Sequence, residues 1–330
     1  MSLQSSLYAS QLRRELSLRN RRHARGRLHV ESYGGAPVIV YAPDAKRHGN
    51  FFDAAYGAIL ARPEWMKRFN KIHAQGRALP KPAIDPARKW RELDSSMSSD
   101  ALLMNVMCTP GVAESPVIPR ALGVDSDELP VFGWKARVPL KNGLLDRTEV
   151  DMRWGGLLVE AKLTESDFQT RKSAVVENYR DIDVVFDREL LPRVTIAVSR
   201  RKEAVEFPED YSQEWEEIAE HDLPMSNAIG LTVPVAVEPG YASYQLIRNV
   251  LAAYAQGASF CVMHDERRPD LREAWFQVMA AVKSAEMRAR LKVLTWQEFA
   301  GMLPADLQEF LDLKYGIVAP GKEPSSIEGL

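Results

Sequence analysis

The chain has 330 residues, 45% of them hydrophobic and 27% charged, with a formal net charge of −2. This is ordinary globular composition, enough to bury a sizeable core in one large domain or two modest ones, and it argues against a disordered chain or a polycation. No apolar run approaches the roughly 18 to 20 residues that span a bilayer, and the N-terminus alternates leucine with arginine where a secretory signal carries an apolar stretch; a soluble, cytoplasmic protein with no membrane partner is expected.

Charge is unevenly placed. Between Arg13 and Arg27 stand seven arginines (13, 14, 19, 21, 22, 25 and 27) against one acid, Glu15, whereas Glu203 to Asp222 holds nine acids and no lysine or arginine. An arginine-rich arm can neutralise phosphates and draw nucleic acid in, although such runs more often form solvated surface or an interdomain contact. Cys108 and Cys261 each sit in an apolar run and read as small buried thiols, which supports neither a disulfide scaffold nor a cysteine-based zinc site.

Phe51 to Ala74 has helical spacing interrupted at Arg62-Pro63, where proline opens a second short helix. Ala78 to Pro86 carries three prolines and reads as an extended connector. Ser95, Ser96, Ser98 and Ser99 then offer N-caps for a helix running to about Cys108. A boundary near residue 94 divides an N-terminal basic arm and helical extension, 1–94, from a main domain, 95–330. Val131 to Leu140, Arg147 to Trp154 and Leu157 to Leu163 are strand-like, with turn signals at Lys141-Asn142-Gly143 and Gly155-Gly156, and predict an antiparallel meander. The polar segment to Tyr179 predicts a helix and Arg193 to Ser199 a strand, within an insertion at about 166–240 whose acidic part is irregular. The stretch YQLIRNVLAAYAQ is an amphipathic helix ended by Gly257, and ASFCVMH a buried strand. Leu271 to Ala289 and Trp296 to Tyr315 predict C-terminal helices from about 270, the latter broken by Pro304, before a frayed tail from Pro320.

The hairpin holds the chemistry. If Gly155-Gly156 is a two-residue primed turn, Trp154 faces Leu157, Met152 faces Val159, Asp151 faces Glu160 and Glu149 faces Lys162. Alternation then puts Val150, Met152, Trp154, Leu157, Val159 and Ala161 on a core face, and Glu149, Asp151, Glu160 and Lys162 on a charged one. Asp151 and Glu160, with Cβ atoms about 4.5 to 5.5 Å apart, repel each other unless something compensates. A divalent cation such as Mg²⁺ would do so, and Lys162 beside it could hold a phosphate or position a water. The competing reading is a solvent-facing hairpin side with Glu149 and Lys162 as a surface ion pair.

Asp151, eight residues, then Glu160-Ala161-Lys162, set in the order α-β-β-β-α-β, resembles the D-x(n)-E-x-K motif of the PD-(D/E)XK, or restriction-endonuclease-like, nuclease superfamily. The resemblance covers roughly Ser95 to Leu163 and Tyr241 to Asp265. It implies an α/β fold with an αβββαβ core, a mixed sheet flanked by helices, and helical additions at both ends. It also implies that Asp151, Glu160 and the Ala161 carbonyl ligate Mg²⁺, with Mn²⁺ able to substitute, and that Lys162 is the catalytic lysine. Many members add a polar or acidic residue from the first core helix, for which Asp100 and Asn105 are the candidates. Some place a glutamine beside the lysine, for which Gln245 is the candidate; the tyrosine that one branch carries four residues later is replaced by Asn249.

The expected function is a Mg²⁺-dependent deoxyribonuclease of restriction, defence or repair type. Its partner is DNA, with RNA left open, and a homodimer is compatible. The alternative is a catalytically inactive nuclease-fold module that binds nucleic acid or a protein. His221 and His264 are isolated, and no G-x-S-x-G, P-loop or H-E-x-x-H motif is present.

Overall fold

The computed structural model describes residues 3–32, 37–44, 46–73, 79–80, 88–125, 127–197 and 237–326. The acidic segment Glu203 to Asp222, His221 with it, and most of the proline-rich connector at 78–86 lie outside the described residues.

A five-stranded mixed sheet carries the architecture. Its strands are β1 (Val131–Lys135), β2 (Glu149–Trp154), β3 (Leu157–Ala161), β4 (Ser259–His264) and β5 (Leu291–Thr295). Their spatial order is β5-β4-β3-β2-β1, antiparallel from β1 to β3 and parallel from β3 to β5. The paired glycines set the hairpin as expected: Trp154 pairs with Leu157, Arg153 with Leu158 and Met152 with Val159. Gly155 supplies the left-handed residue of the turn at φ +53°. Six helices flank the sheet: α1 (Leu3–His23), α2 (Asp53–Leu60), α3 (Pro63–Phe69), α4 (Ser99–Met107), α5 (Tyr244–Gln256) and α6 (Pro269–Ala280), and α7 (Ala305–Tyr315) joins them. Pro63 opens α3, the Ser98 hydroxyl caps α4 by accepting from the Ala101 N–H, and Gly257 closes α5 at φ +63°. Among the described residues no helix is long and apolar enough to cross a membrane, and Cys108 and Cys261 are free and buried.

Apolar side chains bury both faces of the sheet. Met152, Trp154, Leu157, Val159 and Ala161 pack with Leu102 and Val106 of α4, Leu12 and Leu16 of α1, Ile59 of α2, Phe69 of α3 and Leu311 of α7. On the other face, Leu158, Phe260 and Val262 pack with Ile247 and Val250 of α5 and Trp275 of α6. The first 94 residues thus contribute to the same core as the sheet. Every residue of the second hairpin strand is buried, while on the first Arg153 is exposed and Glu149 and Asp151 are half-buried.

Strict alternation fails at one place. Val150 belongs to the second core with Leu158, not to the first with Met152, and its β1 partner Trp134 packs there too, while Phe132 stays in the first. Gly133, at φ +61°, lies between Phe132 and Trp134. A left-handed residue there turns the strand over, and the paired strand follows.

Other expectations need correction. The segment up to Tyr179 is mostly irregular, with one short helix at Ser173–Val176; Arg171–Lys172, Val237–Tyr241 and Arg193–Ala197 form a separate three-stranded sheet. Leu271 to Ala289 breaks into α6 and a short helix at Ala285–Ala289, and the C-terminal region also supplies β5. The arginine-rich arm is α1, a packed helix. Arg19 is buried, bonding Glu15 at 2.9 Å and the Asp312 carbonyl at 3.1 Å, while Arg267 reaches Glu15 at 2.8 Å.

The loop entering α2 is tied to the residues before α4 by a buried pair, His48 Nε2 to Asp94 Oδ1 at 2.9 Å, with Arg88 on the other Asp94 oxygen at 2.8 Å. Burial holds the His48 pKa below its ordinary value. Burial alone would raise Asp94, yet its bond to His48 and the charges of His48 and Arg88 bring it below the usual carboxylate range. Burial and the Lys314 charge push His23 down to about 3. All three groups bind protons more weakly folded than unfolded, so stability is present at neutral pH and lost on acidification. The histidine part begins to fade below about pH 6.5, the unfolded value. The contribution of the histidines should therefore be complete above about pH 7 and fade below about pH 6.5, so thermal melts of His48→Gln should fall less steeply than those of wild type between about pH 6.5 and 5. An identical slope in the variant would remove His48 as a cause.

Candidate active site

Asp151 and Glu160 stand one step beyond the last paired residues of the hairpin, Met152 and Val159. There the ladder gives way to a side chain, and the Ala161 N–H donates to Asp151 Oδ2 at 2.7 Å. Glu160 is only 2% exposed. Its Oε1 lies 3.0 Å from Lys162 Nζ and its Oε2 accepts from Asn249 Nδ2 at 2.7 Å. Lys162, 4% exposed, is held through its backbone as well: its N–H donates to the Met263 carbonyl at 2.8 Å, and its carbonyl accepts from Trp296 Nε1 at 3.0 Å. Its ammonium sits 5.6 Å from the Phe168 ring centroid. Glu149 pairs with Lys71 at 3.2 Å, so the expected Glu149–Lys162 pair gives way to Glu160–Lys162.

One electrostatic field joins these groups. Burial, then the negative charges of Glu160 and Asp100, push the Asp151 carboxyl well above its usual range, against the opposing pull of Lys162 and the Ala161 N–H. Of the two first-helix candidates, Asp100 is therefore the one in the cluster. Arg68 of α3 bonds Asp100 Oδ2, and Asp100 Oδ1 is buried with no hydrogen-bond partner. Asn105 does structural work instead: its Oδ1 accepts from the Phe52 N–H at 2.7 Å, and its Nδ2 donates to the Asn50 and Ala101 carbonyls at 3.0 and 2.8 Å. Gln245 lies one helical turn before Asn249 on the same side of α5, and its Oε1 is also buried without a partner.

Arg68 and Asn249 were not identified as site residues from sequence. Asn249 left a signal, a polar residue four positions after Gln245 in an apolar helix. Arg68 left none, because its partners Glu92 and Asp100 lie 24 and 32 residues away. Of the arm's arginines, Arg13 donates to the Thr164 carbonyl at 3.0 Å, two residues past Lys162, and Arg14, Arg21, Arg25 and Arg27 are exposed.

The donors here are hard oxygens, with two unpartnered ones at Asp100 and Gln245, a set suited to Mg²⁺ or Mn²⁺ and not to a thiolate-preferring metal. Among the described residues no three His, Cys, Asp or Glu side chains form a ready-made metal cage. Mg²⁺ does not require one, since it commonly takes one or two carboxylates and completes its shell with water and phosphate.

Asn105→Ala would strand the Phe52 N–H and the Asn50 carbonyl inside the core, at a cost of about 2 to 4 kcal/mol in denaturant melts. Asp100→Asn relieves repulsion with Asp151 and keeps a hydrogen-bonding group for Arg68, so its midpoint should stay close to wild type. Equal destabilisation of the two would mean that Asp100, too, serves mainly as scaffold.

The model of the family described as Restriction Endonuclease associating with ARP matches residues 18–316, a span that includes Asp100, Asp151, Glu160, Lys162 and Gln245. No curated protein and no solved structure matches the chain. With that match covering nearly all of its length, the chain belongs to the family described as restriction endonuclease associating with ARP, a restriction-endonuclease-like nuclease family.

Proposed function

We propose that the protein is a Mg²⁺-dependent nuclease that hydrolyses phosphodiester bonds in DNA through a PD-(D/E)XK site. The observation that carries this reading is the charge cluster of Asp151 and Glu160 on two adjacent strands, Lys162 just past the second and Asp100 in the first turn of α4, in a chain of a restriction-endonuclease-like family. The run α4-β1-β2-β3-α5-β4 supports the αβββαβ core. In this reading residues 1–94 are an extension built onto the nuclease-like domain 95–330.

Asp151, Glu160 and the Ala161 carbonyl would hold Mg²⁺, with Mn²⁺ as a substitute and the free oxygens of Asp100 and Gln245 turned to its water shell. When bound, the cation neutralises charge developing on the scissile phosphate. Lys162, oriented by Glu160, holds a water for in-line attack and adds its own positive charge. The outward side of α1, with Arg14 and Arg21 exposed, and the turn that follows it, with Arg25 exposed, suit a phosphate backbone, and the Arg13–Thr164 bond sets that helix beside the end of β3, just before Lys162. Association with ARP, which the family description names, belongs to the same proposal.

Purified protein with Mg²⁺ should cut at least one of linear, supercoiled, single-stranded or branched DNA, and EDTA should abolish cutting. Lys162→Ala should lose on the order of a hundredfold or more in rate with binding largely retained, and Asp151→Asn should lose both rate and metal. If no DNA or RNA is cleaved with either Mg²⁺ or Mn²⁺, a non-catalytic binding module becomes the better account.

The α1 surface is tested separately. Deleting the helix would strip Leu12 and Leu16 from the core, so charge reversal is the cleaner probe. Arg14→Glu with Arg25→Glu should lower the slope of log affinity against log salt by about 2 and leave single-turnover cleavage unchanged at saturating protein. An unaltered slope would reassign the surface to a protein partner.

A further inference from the structure

The two strands that carry Asp151 and Glu160 are not hydrogen-bonded to each other at those residues, because the described ladder stops at Met152 and Val159. Apart from the Ala161 N–H that holds Asp151 Oδ2 at 2.7 Å, side-chain contacts must set how the two carboxylates stand to each other. Arg248, on α5 and 2% exposed, touches the first strand directly and the second through its neighbour Asn249. Its Nη2 donates to the Glu149 carbonyl at 3.0 Å, two residues before Asp151. Its Nε and Nη2 donate to Asn249 Oδ1 at 3.1 and 3.0 Å. With its oxygen occupied in that way, Asn249 must present its amide N–H₂ outward, and the group it meets is Glu160 Oε2 at 2.7 Å. One guanidinium therefore connects the backbone beside the first carboxylate to the side chain of the second.

Arg248 is itself fixed. Its guanidinium lies 5.8 Å from the Tyr244 ring centroid, and the Tyr244 hydroxyl is 2.8 Å from that of Tyr179, which in turn bonds Asp146. Tyr179, Tyr244 and Asn249 are all buried. A planar fork with several donors at fixed angles can hold two acceptors in a set relation, which an ammonium cannot.

We propose that Arg248, acting through Asn249, is the positioning residue that sets the separation and orientation of Asp151 and Glu160. Neither residue is among the proposed metal ligands; their side-chain hydrogen bonds run to the Glu149 carbonyl, to each other and to Glu160. The inference rests on the reading of Asp151 and Glu160 as metal ligands, and it assigns to α5 the task of shaping that pair, distinct from whatever Gln245 does one turn earlier. Partners of metal-ligating groups typically change metal affinity by about ten- to a hundredfold when removed.

The test is Mn²⁺ titration calorimetry on the full chain, with thermal melts of the unliganded proteins in parallel. Wild type should show one site that Asp151→Ala abolishes; if it binds no Mn²⁺, the metal-centre reading fails, and this inference fails with it. Given wild-type binding, Arg248→Lys keeps the charge but loses the fork, and Asn249→Ser cuts the link while leaving Arg248 on Glu149. Both should bind Mn²⁺ about ten- to a hundredfold more weakly, and their cleavage should recover as Mn²⁺ is raised, a rescue that general loss of structure would not give. Wild-type Mn²⁺ affinity in either folded variant would overturn the inference and leave the metal site intact. Failure of Asn249→Ser to fold would overturn it as well, because the pair would then be holding the core and not the carboxylates.

Discussion

Asp151 and Glu160 confront each other across neighbouring strands, and two carboxylates so placed destabilise a sheet unless their charge is answered. The protein answers it locally. The strand ladder stops at that point and the freed Ala161 N–H goes to Asp151, while an ammonium and a side-chain amide divide the two oxygens of Glu160. Burial strengthens every one of these interactions and makes any vacancy among them costly. Asp151 still carries the residual cost, in a carboxyl held well above its normal range by burial and by its two acidic neighbours.

The surrounding elements can be understood by what they contribute to this spot. α4 brings Asp100 in its first turn, α3 brings the guanidinium that restrains it, and α5 brings amide and guanidinium from the opposite side of the sheet. Trp296 holds the backbone of Lys162 from a third direction. The apolar cores beneath and above keep these elements in register, which is why the region before residue 94 cannot be separated from the site: Leu12, Ile59 and Phe69 lie in the same core as Val159 and Ala161.

The hairpin was legible in the sequence because two glycines and a period of two leave little choice of register, and α4 because serine caps and an apolar run mark it. What escaped has physical reasons. Helical spacing placed Asp100 and Asn105 on different sides of α4 but could not say which side met the carboxylates. Strand alternation misplaced Val150 because Gly133 in the neighbouring strand inverts it. The run LKVLT was too short to stand out between two helical patterns, so β5 was missed. α1 was read as a basic arm although Ala9, Leu12 and Leu16 recur at helical spacing, because its arginines dominated the composition and the partner that buries Arg19 is near the other end of the chain.

That last contact has a consequence for how the chain is made. Arg19 reaches the Asp312 carbonyl across 293 residues, and Asn20 reaches that of Lys314 across 294. On the ribosome the apolar stripe of α1 emerges well before α7 and must wait for it, tens of seconds at roughly 5 to 20 residues per second. Trp296, which holds the backbone of Lys162, is also translated late, 134 residues after the lysine itself. A nascent chain that has already exposed Asp100, Asp151 and Glu160 thus still lacks Trp296, and the backbone of Lys162 gains that contact only after the segment following β5 has been made.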